Sequence, residues 1–149
     1  MLEALHASEG IDEVVVVWGA HPIPGRGDFR VAECPEWELG PGASLRCGLA
    51  ALSPPVTHAL VVLADGPELD PRAIARVLAH RAEAEIVAAT YDGSRSHPLV
   101  LAHPAWTSVP DEGLRALPVA LVDCADLRPP GDVDFADKVG REQGKNAED

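Results

Sequence analysis

Two apolar runs without a polar break punctuate the chain, Val14 to Val17 and Ala59 to Ala64. Both are short, the first is entirely β-branched, and glycine follows each closely, at Gly19 and Gly66. Such runs predict strands buried on both faces rather than amphipathic helices. "EIVAAT", "PLVLA" and "VALVDC" read the same way, and "FRVAE" predicts a shorter strand. Helical spacing lies between them. Leu2 and Leu5 make the stripe of a short helix ended by Gly10. "LRCGLAAL" continues a helix that Ser44 caps and that stops before Pro54-Pro55. Asp70-Pro71 is an N-cap and first-turn pair leading a helix to about Ala82. "PDEGLRALP" predicts a short helix, and another starts at Phe135. "AHPIPGRGD", "CPEWELGPGA" and "YDGSRS" carry turn chemistry. Strands alternating with helices make βαβ units. The expected fold is therefore α/β, with a mainly parallel sheet, helices on both faces and the 58–64 strand near its centre. Residues 1–140 form this one domain, and 141–149, "REQGKNAED", a polar tail that frays.

Composition narrows the partners. The chain has 149 residues, enough for a real core, but only 4% aromatics, so Val, Leu, Ala and Ile must build it. The formal net charge of -12 argues against nucleic acid or an anionic membrane surface as partner, since both need clustered cations. A small phosphorylated ligand carried with a divalent metal stays open. Lys138 and Lys145 are the only lysines. No apolar stretch reaches the length of a membrane span, and "MLEALHASEG" lacks the basic start and apolar core of a signal peptide. Cys34, Cys47 and Cys124 are odd in number and show no CxxC spacing. Neither a disulfide framework nor a zinc site is expected, Cys47 reads as a small core residue, and a reducing cytoplasm is the expected compartment.

Candidate chemistry begins at Asp65. The apolar run ends on this carboxylate, and Gly66-Pro67 then stops the chain from continuing as strand or helix. In parallel α/β sheets ligands bind beyond the carboxyl ends of strands, where a carboxylate can meet a metal. A plain turn cap is the alternative reading. "GDVDFADKV" sets Asp132 and Asp134 on one side of an extended segment, with Asp137 following. Carboxylates there and at Asp65 would suit Mg²⁺ or Mn²⁺. The alternative is an acidic first turn complementing a helix dipole. Trp37 is the best of the three tryptophans for stacking on a base, against a role in packing.

"ELGPGASLRCGLAAL", "VVLADGPELDPRAI", "YDGSRSHPLVLAHPAW", "DEGLRALP" and "GDVDFADKV" follow one another at spacings that resemble the MobA-like NTP transferase family. That family includes the molybdenum cofactor cytidylyl- and guanylyltransferases. The resemblance runs from about Leu2 to about Val139. It implies a three-layer Rossmann-like fold of the nucleotide-diphospho-sugar-transferase type. It implies Asp65 and Asp134 as the catalytic, metal-holding acids, converging at one end of the sheet on Mg²⁺ or Mn²⁺. Gly42, Ser44 and Leu45 fall where the family contacts the nucleotide. His97 and Pro98, with Gly113 and Arg115, fall on the acceptor side. The implied chemistry is attack by an acceptor phosphate oxygen on the α-phosphorus of CTP or GTP, with pyrophosphate leaving.

The resemblance has gaps. The family's opening strand and glycine-rich phosphate loop have no counterpart, so the first βα unit is absent, and no Lys precedes Lys138. Gly66 stands where many relatives carry Gln, and Phe135-Ala136 where they carry Thr-Pro. Without the unit, the strands near 13–17 and 58–64 are left with unpaired edges. They pair directly, or a homo-oligomer or partner chain completes the sheet, or a longer product supplies the piece. Two functions follow: a nucleotidyltransferase weakened by loss of the loop, or a non-catalytic nucleotide-binding or partner subunit. Arg26, Arg46 and Arg95 are the cations that could take over the phosphate role. A nucleotide-sugar glycosyltransferase also uses a DxD, but the one here lies too close to the C-terminus.

Overall fold

A strand buried on both faces must find helices on both sides; in the computed structural model the strand at 86–90 is such a strand, while the two runs expected to be buried are mostly half-exposed. The structure describes residues 2–24, 27–63, 66 and 68–131. Helix α1 spans Leu2–Ala7 and strand β1 spans Val15–Trp18. Strand β2 is Arg30–Glu33, a 3-10 turn covers Trp37–Leu39, and helix α2 is Pro41–Ala50. Strand β3 is His58–Val61, helix α3 Pro71–Ala79, and strand β4 Ile86–Thr90. Strand β5 is Arg95–Ala102, a second 3-10 segment covers His103–Ser108, and strand β6 is Ala120–Asp123.

The strands fall into two sheets, β1-β2 and β3-β5-β4-β6. β1 and β2 are parallel, with Val15 opposite Arg30 and Trp18 opposite Glu33. β5 runs antiparallel to both β3 and β4, and β4 is parallel to β6. β3, β4 and β6 thus share one direction, and the mainly parallel α/β class holds. The antiparallel β5 follows β4 through the turn at Gly93, so "YDGSRS" ends inside a strand that starts at Arg95 rather than at Pro98.

Alternation along the strands makes two cores. Ile86 and Ala88 of β4 pack with Leu99, Leu101, Ala59 and Leu49 on the α2 side. Val87 and Ala89 pack with Val100, Val122, Ala73 and Val77 on the α3 side. A third group joins Leu5 of α1 to Leu69 and Ile74.

Four expectations are corrected. The 58–64 segment is not a central strand of a continuous sheet. Among the described residues β3 ends the four-stranded sheet, hydrogen-bonded only to β5, with β1 across a cleft and not paired with it. Ser44 does not cap α2. Gly40 is the N-cap and Pro41 opens the helix, since Pro is pre-set for that position and lacks an N–H to satisfy. Residues 110–118 are consecutive turns rather than a helix, broken at Gly113, whose φ of +102° belongs to the left-handed region. Cys47 is not a lone core thiol: it is bonded to Cys34 across a Cα–Cα distance of 5.6 Å. Elsewhere the local signals hold. Asp70 accepts the N–H of Arg72 at 2.9 Å as the N-cap of α3, with Pro71 in the first turn. The expected helix from Phe135 and the tail lie outside the described residues.

Candidate functional site

The site grows from the start of α2. Gly40 holds a φ of +136°, and a side chain there would overlap the Asp111 carbonyl oxygen. Two residues on, the Gly42 N–H donates to the Asp111 carbonyl at 2.8 Å. Gly42 is buried so closely against Pro110 and Gly113 that a Cβ would overlap the Pro110 carbonyl. Arg46, one turn further, donates to the Val109 carbonyl at 2.7 Å and forms a close ion pair with Asp111. Glycine backbone and one guanidinium thus dock the first turns of α2 onto the 110–113 turn.

β5 brings the third component. Pro98 is fully buried within it and has no N–H for the ladder. The register with β4 runs Ala88 to Leu99 and then Thr90 to Arg95, so three β5 residues face one β4 residue. This bulge surrounds Pro98 and takes His97 out of regular pairing. The His97 carbonyl accepts the Tyr91 hydroxyl at 2.8 Å, and burial, ahead of the negative potential of Cys124 and Asp70, pushes the Tyr91 phenol up to about 12. Arg95 anchors the adjoining turns, donating to the Leu114 carbonyl at 3.0 Å and the Leu117 carbonyl at 2.9 Å.

These elements meet at one cleft of about 1600 Å³. Ser44 and Leu45 of α2, His97 of β5, and Gly113 and Arg115 of the turn all line it. Gly42 and Pro98 lie buried behind that lining and position it. Arg115 is exposed and makes no hydrogen bond or ion pair among the described residues, so its guanidinium is available to an anion. Arg46 and Arg95 are engaged by the fold instead, and Arg26 lies outside the described residues. Sequence reasoning missed Glu112 and Ser96, which also line the cleft. Their only signal was adjacency to Gly113 and His97. Trp37 lies against Gly19 at the end of β1, a packing role, and Trp106 donates to the Leu101 carbonyl at 3.1 Å.

Asp65, Asp132, Asp134 and Asp137 fall outside the described residues. The described residues Gly66, next to Asp65, and Gly131, next to Asp132, lie close to each other. The Glu68 N–H donates to the Pro130 carbonyl at 2.9 Å, and a Cβ on Gly66 would lie 3.2 Å from Pro130 Cβ and 3.8 Å from the Gly131 carbonyl oxygen. Among the described residues no group of three or more His, Cys, Asp or Glu could hold a metal ion.

With this geometry in hand, residues 1–118 match the profile of the MobA-like NTP transferase domain. The chain belongs to that family. No curated protein matches it significantly. The fold of this MobA-like domain is similar to that of Rv0371c from Mycobacterium tuberculosis H37Rv, at TM-score 0.69 and 24% identity, covering 94% of this chain and 82% of that one. A manganese complex of Rv0371c matches at TM-score 0.69 and 20% identity, covering 94% and 83%. An Rv0371c homolog from mycobacterium sp. strain JC1 matches at TM-score 0.71 and 18% identity, covering 97% and 81%. At such identities the likeness establishes the fold alone. No helix among the described residues is long and apolar enough to cross a membrane.

Proposed function

We propose that this MobA-like domain binds CTP or GTP with a divalent cation and serves nucleotidyl transfer to a small phosphorylated acceptor such as molybdopterin. The observation that carries the reading is the single cleft shared by Ser44, Leu45, His97, Gly113 and Arg115. Residues assigned to the nucleotide and to the acceptor on separate motifs line one space, with an unengaged guanidinium in it. In this reading the α2 start contacts base and ribose. Arg115 and His97 hold the acceptor phosphate near the α-phosphorus, where positioning and charge neutralisation carry catalysis.

Asp65 and Asp134 are the acids we assign to the metal. The described structure fits this assignment, because Gly66, bonded to Asp65, lies against Pro130 and Gly131, just before the Asp132–Asp134 segment. Carboxylate oxygens are hard donors that suit Mg²⁺ and Mn²⁺ alike. A structural relative has been crystallised with manganese. When bound, such a cation would neutralise phosphate charge. We assign the protein no nucleic-acid or membrane partner, in line with its net charge of -12.

A second reading, a non-catalytic nucleotide-binding or partner subunit, draws on one observation: residues 1–137 contain no lysine to grip a triphosphate. Calorimetry with MnCl₂ and CTP or GTP tests binding, and pyrophosphate release with molybdopterin separates the two readings. We expect saturable, metal-dependent binding of one nucleotide, weakened about tenfold or more by Asp65→Asn, and binding of molybdopterin weakened likewise by Arg115→Ala, given about 1.5–3 kcal/mol for a charged hydrogen bond. Turnover by this chain alone should be slight. Absence of metal-dependent binding, or binding indifferent to both substitutions, would sink the proposal.

A further inference from the structure

Glu112 is a carboxylate without a partner in the cleft. It is exposed, it lines the cleft beside Gly113 and Arg115, and its side chain makes no hydrogen bond or ion pair among the described residues. The cations that could neutralise it are held elsewhere. Arg46 pairs with the neighbouring Asp111 and donates to the Val109 carbonyl, and Arg95 donates to the Leu114 and Leu117 carbonyls. The backbone on either side of Glu112 is fixed. The Asp111 carbonyl accepts the Gly42 N–H at 2.8 Å, and the Gly113 N–H donates to the Pro110 carbonyl at 3.0 Å. A Cβ on Gly40 would lie 3.7 Å from the Glu112 nitrogen. The start of α2, whose Ser44 and Leu45 face the same cleft, therefore lies directly against this residue.

We propose that Glu112 recognises the 2-amino-4-oxopyrimidine edge of a bound ring and so sets the specificity of the cleft. The inference rests on the nucleotide and acceptor placement proposed above and deepens it. An ionised carboxylate only accepts hydrogen bonds, and its two oxygens suit two parallel N–H donors. Guanine carries such a pair, N1–H beside its 2-amino group. The pterin of molybdopterin carries the same pair, N3–H beside its 2-amino group. Cytosine offers one amino group next to the acceptor N3, whose lone pair a carboxylate repels. Phosphate oxygens are repelled too, which leaves them to the unengaged guanidinium of Arg115. A site built to bond an N–H discriminates strongly against an analogue that lacks it, because the polar group of the site is then left unpaired. The ring edge is the shared chemistry, and the base and the pterin are its two sources.

Calorimetry on the 149-residue chain and on its Glu112→Gln variant tests both sources. One arm compares GTP, ITP and CTP, each with MnCl₂; ITP lacks the 2-amino group. The other compares 6-hydroxymethylpterin with 6-hydroxymethyllumazine, which carries an oxygen in place of that group. We expect the parent to show a preference of about tenfold or more in one arm, the scale of a hydrogen bond to a charged group, and the variant to lose it. GTP ahead of ITP and CTP identifies the base as the ring that Glu112 meets, and pterin ahead of lumazine identifies the acceptor. Because Glu112 is exposed and unbonded, the variant should keep the parent's melting temperature. Two results overturn the inference and leave the proposed function standing: metal-dependent nucleotide binding with no preference in either arm, or a preference that survives Glu112→Gln unchanged. Either would leave Glu112 a solvated surface carboxylate. No binding in either arm would sink the proposed function and this inference with it.

Discussion

Tyr91 illustrates how one hydroxyl can set a site residue it does not replace. Its donation to the His97 carbonyl holds the bulged segment of β5, and a phenol pushed up to about 12 stays protonated through any working pH. Tyr91→Phe should cost about 1 kcal/mol of stability. On the proposed acceptor role of His97 it should also weaken acceptor binding, and calorimetric titration with molybdopterin would check this. Glu13 is the acid-sensitive counterpart. Its carboxylate accepts the Ser53 N–H at 2.6 Å, the Ser53 hydroxyl at 2.9 Å and Arg30 at 2.9 Å. The Ser53 N–H is the main cause that holds it below the ordinary value of 4.5, opposed by partial desolvation. A folded-state pKa below the unfolded one means the unfolded chain binds protons first as pH falls. The contribution is therefore complete above the unfolded value of 4.5 and is lost as pH drops through the lower folded value. Urea midpoints measured downward from neutral pH should fall in that window for the parent. Glu13→Gln should start lower at neutral pH and show a flatter profile.

At the level of elements, α2 does two tasks. Its first turns dock on the 110–113 turn through Gly42 and Arg46, and its remaining length packs on Val17 of one sheet and on the Ala59 core of the other. Gly42→Ala attacks the first task alone. Its methyl would overlap backbone at Pro110 and crowd the Gly113 nitrogen, where no side chain can swing away. Overpacking of this kind costs about 1–3 kcal/mol. The substitution should lower the melting temperature and weaken nucleotide binding together, because relief of the overlap moves Ser44 and Leu45 away from Arg115. Calorimetric titration beside thermal unfolding would read both, and unchanged binding would separate α2 docking from the site.

At the scale of the molecule, the described residues form two sheets, and the β1-β2 sheet is the less supported. It holds to the rest through α2, through the Glu13–Ser53 contacts and through the Cys34–Cys47 bond, which ties the end of β2 to α2. The bond closes a loop of sequence separation 13. Loops of that size are worth about 3 kcal/mol on the chain-entropy account. Reduction should lower the urea midpoint by an energy of that order. Cys47→Ala should reproduce the loss and abolish any further effect of reductant. Thiol titration of the unfolded, unreduced chain should find one free thiol, Cys124.

The sequence alone determined what depends on neighbours within a few residues. Val14 to Val17 and the start of Ala59 to Ala64 read as extended chain, Asp70-Pro71 could start a helix, and Gly10 could end one; β1, α3 and α1 lie near those signals, whereas β3 stops at Val61 and β1 is only half-buried. The family was legible from five motifs in order, and with it the expectation of unpaired edges near 13–17 and 58–64. Tertiary structure decided everything that depends on which distant segment arrives. β5 turned back antiparallel between β3 and β4, Cys47 met Cys34, and the 110–118 segment gave up a helix to receive α2. No pattern in "DEGLRALP" announces that Gly42 will sit on it. Nor does any spacing place Ser44, His97 and Arg115 around one cleft. Local sequence sets which side of a strand or helix is apolar, whereas partner and register follow from the summed burial and hydrogen bonding of segments far apart in the chain.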